Sequence, residues 1–293
     1  MAILSVDLAY RRWADVGVVV LQRRIAARAS IAGGVLGDAG RFLGMPGPDK
    51  SLAGAKTEAA TTDCEIVTTA GLGLEPGQDR SRVDANVLAG LLNHLATARG
   101  IQVMMLDGPQ AWKSRDNGCE HARVSERQLN TAAKTGLPGM VKPMTYRPFA
   151  EFCLDVYDAL CRRGWRRLAT REQPGSAPER VLVESYPHAA WKALGLKPLP
   201  SKRRTKVIDL AEGYGALRGL MPITTNRPPN HDQLQAIVGG LAGLAIEARD
   251  AAGAQIVGNP PRREEGHWRE GFIVLPTPPP ASSNRLQSLR WLD

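Results

Sequence analysis

Four acidic residues lie at or near the ends of short apolar runs, or in the first turn of a predicted helix, where they could act together. They are Asp7, Asp107, Glu184 and Asp232. Carboxylates gathered at one end of a sheet repel one another unless cations lie between them, and hard oxygen ligands of this kind suit Mg²⁺ or Mn²⁺. Two such ions, about 3.5–4 Å apart, can activate a water and stabilise the leaving oxygen of a phosphodiester.

Each acid also has an ordinary structural explanation. Asp107 precedes Gly108-Pro109 and could be a turn former. Asp232 in a first helical turn interacts favourably with the helix dipole, by about 0.3–1 kcal/mol, without any metal. Glu184 could pair with one of many arginines, whereas Asp7 lies inside an apolar run and is hardest to explain this way. Four acids in such positions together favour a site over four separate coincidences.

The elements that must position these acids follow from the apolar pattern. The run Val103-Met104-Met105-Leu106 is typical of a central strand buried on both faces, so Asp107 is expected at its carboxyl end, where an open α/β sheet forms its binding crevice. The predicted order is β-β-β-α-β-α-β-α, with the first two strands as a hairpin. The predicted strands are 3–8, 16–21, 64–69, 101–107 and 181–184, with a last short one at 272–275. The predicted helices are 84–99, 120–134, 147–163, 187–194 and one beginning after Asn230. This order places Asp107 beside Asp7, with Glu184 and Asp232 close by.

Five short motifs in this order resemble the predicted ribonuclease H-like nucleases, a family of unknown function, over roughly residues 1–276. They are Ser5-Val6-Asp7, Leu106-Asp107-Gly108-Pro109, Val183-Glu184-Ser185-Tyr186-Pro187 with Ala190 to Gly195, His231-Asp232, and Glu270 to Pro276. The resemblance implies an α/β ribonuclease H-like fold, with a mixed central sheet of about five strands and helices on both faces. It also implies a Mg²⁺- or Mn²⁺-dependent nuclease, in which the four acids are the catalytic residues and the metal ligands.

Two departures from the family pattern keep an alternative open. RuvC-type resolvases, which are similar in the last long helix, carry a second Asp three residues after the first, and here that position is Gln235. The stretch after Asp7 also lacks the expected glycines. A ribonuclease H-like module that binds nucleic acid or a partner but has lost full metal binding is therefore the alternative. A kinase of the related actin-like fold would need a glycine-rich phosphate loop there.

Further residues are candidates for contact with substrate. His231 could orient water or contact a phosphate, or simply cap the helix. Gln235, Lys113 and Lys192 are the other predicted substrate-binding residues, together with the basic segment Lys202 to Lys206. Three tryptophans flanked by Arg or Lys could stack on bases or be partly buried; they are Trp13, Trp112 and Trp165.

Composition sets the outer bounds. The 293 residues carry a net charge of +9, which favours a polyanionic partner such as nucleic acid, although a solvated arginine-rich surface explains it equally well. The four cysteines form no C-x-x-C pair, which fits free thiols in the cytoplasm. We expect no signal peptide and no membrane span. We expect one domain over 1–276, with insertions near 30–60 and 109–145, and a Pro/Ser-rich tail over 277–293; the oligomeric state stays open.

Overall fold

A computed structural model describes residues 2–24, 61–171 and 180–279. The predicted insertion near 30–60 and nearly all of the predicted tail lie outside these residues.

The described chain contains six α-helices and thirteen strands. The helices are α1 (Ala85–Ala98), α2 (Val124–Leu129), α3 (Arg147–Cys161), α4 (Pro187–Ala193), α5 (Val207–Leu220) and α6 (His231–Ala248). The first seven strands are β1 (Ala2–Asp7), β2 (Gly17–Arg24), β3 (Thr61–Val67), β4 (Val103–Asp107), β5 (Lys134–Thr135), β6 (Val141–Lys142) and β7 (Arg166–Arg167). The others are β8 (Val181–Ser185), β9 (Ile223–Thr225), β10 (Ala254–Val257), β11 (Arg262–Glu264), β12 (His267–Arg269) and β13 (Ile273–Pro276).

Nine strands form the central sheet, in the order β10-β13-β8-β4-β1-β2-β3-β9, with β7 beside the start of β8. β1 and β2 form the predicted antiparallel hairpin, and β4 lies parallel to β1 on its other side, so both expectations are confirmed. The sheet is mixed, as predicted, but has nine strands rather than about five. One of the additional strands, β13, is the short last strand predicted at 272–275. The others are short and carry little of the apolar pattern by which strands are recognised in sequence; they are β7, β9 and β10.

Two apolar layers cover the two faces of the sheet. Successive side chains of β1 alternate between them, since Ile3 packs with α4 and α6 whereas Leu4 packs with α1 and α3. This is the period of two that a strand imposes on a sequence. Helices therefore lie on both faces, which confirms that part of the prediction. Among the described helices, none is long and apolar enough to cross a membrane.

Glycines let α6 lie unusually close to the sheet. A Cβ atom added to Gly240 would come within 2.7 Å of Ser5 Cβ, and one added to Gly243 within 2.7 Å of Met105 Cγ. At the start of the helix, a Cβ on Gly17 of β2 would lie 2.4 Å from the carbonyl oxygen of Asp232. The chain thus brings the first turn of α6 directly against the end of the β1–β2 hairpin.

Several local predictions were wrong. The helix predicted over 120–134 is only α2, because Asn130 takes a left-handed conformation (φ 48°) and the chain then turns back through β5 and β6. The polar segment 259–270, where no strand was predicted, contains the β11–β12 hairpin. Helix α5 was missed, since its buried side is narrow and Leu217 is its one fully buried residue.

Candidate active site

Asp7 and Asp107 lie side by side at the carboxyl ends of the two central strands. They are paired directly in the parallel register of β1 and β4, so both side chains leave the same face of the sheet. Gly108 then turns the chain sharply with φ +139°, and a Cβ there would come within 2.4 Å of Cys153 Sγ. The turn and the close packing of α3 behind it require glycine at this position.

The two carboxyl groups of this pair are in contact. Burial raises the pKa of Asp7 well above its usual range, and the negative charges of Asp107 and Asp232 raise it further. Burial likewise raises the pKa of Asp107 to about 7, with the charge of Glu184 adding to the effect and the hydrogen bond with Asp7 opposing it. Within the described part of the chain, no Lys, Arg or His forms a salt bridge with either residue. Burial and the neighbouring negative charges therefore favour the protonated form of these carboxyl groups.

Glu184 is the penultimate residue of β8 and is paired in register with Leu106, so its side chain leaves the opposite face of the sheet from Asp107; it is already matched by a cation. Arg123 donates to both of its oxygens, from Nη1 at 2.7 Å and from Nη2 at 2.6 Å, and the Gln110 amide donates at 3.0 Å. The same guanidinium also bonds Glu126, at 3.0 Å from Nη2. All three side chains are almost fully buried, so this is an ion-pair network closed off from water. Burial raises the pKa of Glu184, and the Arg123 ion pair opposes that shift.

Asp232 lies in the first turn of α6 and is held by a different cation. Lys202 Nζ donates to Asp232 Oδ2, and it also bonds Asp15 Oδ1 at 2.7 Å. His231 Nδ1 lies 3.1 Å from Asp232 Oδ1, while its Nε2 lies 3.1 Å from the carbonyl oxygen of Pro200. Asp232 is therefore fixed from both sides, by His231 and by Lys202. Lys202 belongs to segment 197–206, which runs from Lys197 and ends with the basic stretch Lys202 to Lys206.

The four predicted acids thus gather at one edge of the sheet, but in three separate settings. Asp7 and Asp107 face each other, Glu184 faces Arg123, and Asp232 faces Lys202. As a result, nowhere in the described ranges do three His, Cys, Asp or Glu side chains form a ready metal-ligating group. In the part of the chain that the structure describes, one pair of residues therefore has carboxylate oxygens without a basic partner, and each of the two further acids nearby is paired with a basic side chain of the protein.

The predicted substrate-binding residues are placed less favourably. Lys113, predicted to contact phosphate, is buried, and its ammonium donates to the carbonyl of Ser114 at 2.8 Å. Gln235 accepts from Trp191 Nε1 at 2.9 Å, which turns its carbonyl towards α4. His231 bonds Asp232 rather than open solvent, and Lys192 is exposed on α4, with no bond or ion pair to the four acids among the described residues. All three tryptophans proposed for stacking are buried: Trp13, Trp112 and Trp165.

The segment 109–145, which we predicted to be an insertion and call the insertion below, lies between β4 and α3 and forms a wall beside Asp107. It encloses a cavity of about 200 Å³ bounded by Asp107, Arg123, Tyr146 and Tyr186. A second buried acid secures the wall, since Glu270 accepts hydrogen bonds from the amides of Ser114 (2.8 Å) and Val124 (2.9 Å) and from Asn117 Nδ2. The insertion is therefore fastened to the sheet by two buried carboxylates, Glu184 and Glu270.

Two important residues could not be recognised in the sequence, and a third was recognised for another reason. Arg123 and Asp15 stand in segments of mixed charge, with nothing in their spacing to connect them with a strand end. Lys202 was predicted to contact phosphate within a basic run, and the structure places it on Asp232 and Asp15. Ion pairs across long sequence separations leave no periodic signal.

Comparisons with known proteins add little to this geometry. No protein-family model matches the chain, and no curated protein matches it. Among solved structures, the chain is similar to the Thermus thermophilus RuvC structure at 12% identity, over 85% of this chain and 96% of that one, with a TM-score of 0.34. A likeness of this degree does not decide what the chain does.

Proposed function

We propose that the protein is a metal-dependent nuclease of the ribonuclease H-like class, which hydrolyses phosphodiester bonds at the edge of the sheet where the acids gather. The observation that carries the proposal is the Asp7–Asp107 pair. Two partly buried carboxyl groups in contact, with no basic residue of the described chain paired to them, are costly for folding unless a proton or a cation offsets their repulsion.

The donor chemistry of this pair fits Mg²⁺ or Mn²⁺, because every available ligand atom is a carboxylate oxygen. Asp7 and Asp107 would hold the ion directly, and Asp232 and Glu184 would add negative charge on either side. When bound, the ion supplies positive charge to a phosphate and lowers the pKa of a nearby water. Lys202 and His231 hold Asp232 in place, and the Arg123 network keeps Glu184 and the wall of the cavity fixed.

The order of the strands supports the same class. β3-β2-β1-β4-β8 contains the five strands on which the sequence expectation rested, with β1 and β4 adjacent. The net charge of +9 and the exposed basic residues around Lys202 suit a polyanionic substrate. The four cysteines, all free, agree with a cytoplasmic setting.

A cleavage assay tests the proposal. The wild-type protein, Asp7→Asn, Asp107→Asn and the control Glu65→Gln are incubated with single- and double-stranded DNA and RNA, with Mg²⁺, with Mn²⁺ or with chelator. Glu65 in β3 forms a partly exposed ion pair with Arg99. Its change to Gln removes one negative charge, as each Asp→Asn change does. Metal-dependent cleavage by wild type and Glu65→Gln, and its loss in both Asn variants, is expected. Equal activity in all four proteins would show that cleavage does not depend on Asp7 or Asp107, which would contradict the proposal.

A second candidate is a module that binds nucleic acid or a partner without cutting. The observation that favours it is that Arg123 and Lys202 already neutralise two of the four acids, so that full metal occupancy is hindered. Nucleic-acid binding that is independent of metal, together with no Mn²⁺ binding and no cleavage, would support this candidate over the nuclease.

A further inference from the structure

We infer that the site binds one divalent ion rather than two, because the ammonium of Lys202 permanently occupies the place of a second cation. This inference rests on the proposed function, since it concerns the same acids. Lys202, from segment 197–206, then acts inside the site as a positive charge that belongs to the protein.

The contacts of Lys202 are those of a bridging cation. Its Nζ lies between two carboxylates from different parts of the chain, Asp15 after β1 and Asp232 in α6. Asp15 is held by a second cation as well, since Arg12 Nε lies 2.9 Å from its Oδ2. A single amine thus joins two acids that are far apart in the sequence.

The distribution of charge at this edge of the sheet suits a single ion. Among the residues that the structure describes, three basic side chains pair with acids here: Arg12 with Asp15, Lys202 with Asp15 and Asp232, and Arg123 with Glu184 and Glu126. Each lies on an acid outside the Asp7–Asp107 pair. One divalent ion at that pair would offset the remaining repulsion, whereas a second would have to displace Lys202 from Asp232 Oδ2 or lie against its positive charge.

Gln235 fits the same interpretation. It lies one helical turn after Asp232 but is neutral, and its carbonyl oxygen is turned away to Trp191 at 2.9 Å. A second ion would therefore find one carboxylate in the first turn of this helix, Asp232, which is already bonded to Lys202 and lies 3.1 Å from His231. The start of α6 has the ligands for an amine and lacks those for a second metal.

Titration calorimetry of the full-length protein with Mn²⁺ tests the inference. We expect one ion per wild-type chain and a second, weaker one in Lys202→Met, because that change leaves Asp15 and Asp232 without their shared cation. Lys202→Arg keeps the charge and should bind one. Lys197→Met removes an exposed lysine from the same segment and is the matched control; it should also bind one.

The outcomes separate the two proposals. Two ions in the wild type, or a single ion of unchanged affinity in Lys202→Met, would overturn the inference while leaving a metal site in place. No ion in any variant would overturn the proposed function as well. If Lys202→Met does not fold, as judged by circular dichroism, the wild-type stoichiometry decides alone: one ion supports the inference and two ions overturn it.

Discussion

Arg123 contributes more to the stability of the fold than its position in a loop of mixed charge suggests. Its guanidinium is shared by two almost fully buried carboxylates, Glu126 and Glu184, and by Thr135 Oγ1 at 3.0 Å. Because buried charges are stable only when paired and hydrogen-bonded, the insertion that carries Arg123 and the strand that carries Glu184 depend on each other.

Replacing Arg123 by Met should destabilise the protein by about 3–5 kcal/mol, since the change leaves two buried carboxylates without a partner. Urea unfolding measures the effect. Arg99→Met is the control, because its ion pair with Glu65 is about half exposed and should contribute no more than about 1 kcal/mol. Adding Glu184→Gln to Arg123→Met should recover part of the loss. If Arg123→Met were as stable as Arg99→Met, the buried network around Arg123 would not contribute to the stability of the fold.

The Asp7–Asp107 pair makes a separate prediction about pH in the absence of metal. An Asp in the unfolded chain ionises near pH 3.8, whereas Asp107 in the folded protein keeps its proton until about pH 7. Between these values the native state binds more protons than the unfolded state, so this residue's contribution to stability falls as the pH rises.

The comparison of wild type with Asp107→Asn isolates this contribution. In the presence of chelator, the free energy of unfolding of Asp107→Asn should increase relative to that of wild type as the pH is raised from about 4 to about 7. Denaturant titrations at several pH values measure the difference. Parallel stability curves for the two proteins would contradict the prediction, and added Mg²⁺ should reduce the difference at neutral pH by stabilising the wild type.

At the scale of elements, the site depends on how closely α6 approaches the sheet. Gly240→Ala should destabilise the protein by about 1–3 kcal/mol, because its Cβ would lie 2.7 Å from Ser5. The same substitution at Gly215 in α5 has no neighbouring atom within 4 Å and should stabilise by about 0.5–1 kcal/mol through helix propensity. Thermal unfolding of the two variants checks both signs. Equal effects would show that α6 does not need its glycines for packing.

The elements that could be predicted from sequence are those with an apolar period of their own. Strand β4 and helix α1 were predicted within a few residues, since Val103 to Leu106 is apolar throughout and Asp84 caps the helix by accepting from the amide of Val87. The adjacency of Asp7 and Asp107 followed from the order of these elements. Short edge strands such as β7 and β9 could not be predicted, because pairing with a neighbour rather than a local pattern makes them strands. For the same reason, the partners of Glu184 and Asp232 could not be found.

For the molecule as a whole, the charge of +9 predicts nucleic-acid binding that is strongly dependent on salt. Affinity for duplex DNA should fall by roughly tenfold or more between about 50 and 200 mM salt, as measured by fluorescence anisotropy in chelator. Replacing the exposed Arg203 and Arg204 together by Gln should lower the slope of the salt dependence by about 2.

Arg99→Gln is the control for that measurement. Arg99 ends α1 just before β4 begins, so it lies at the opposite edge of the sheet from Asp107 and should leave the slope unchanged. A slope that changes equally in both variants would show that the positive charge acts diffusely and that segment 197–206 is not the contact surface.

The distance in sequence between β1 and α6 has a consequence for biosynthesis. Ser5 Oγ in the first strand donates to the carbonyl of Ala236 in the last long helix at 2.7 Å, across 231 positions. The negative charge of Asp232, in the same helix, raises the pKa of Asp7. A chain emerging from the ribosome therefore carries Asp7 and Asp107 well before the residues that complete their surroundings have been made. The acid cluster is assembled only after α6 has been made, so a chain truncated before α6 lacks it.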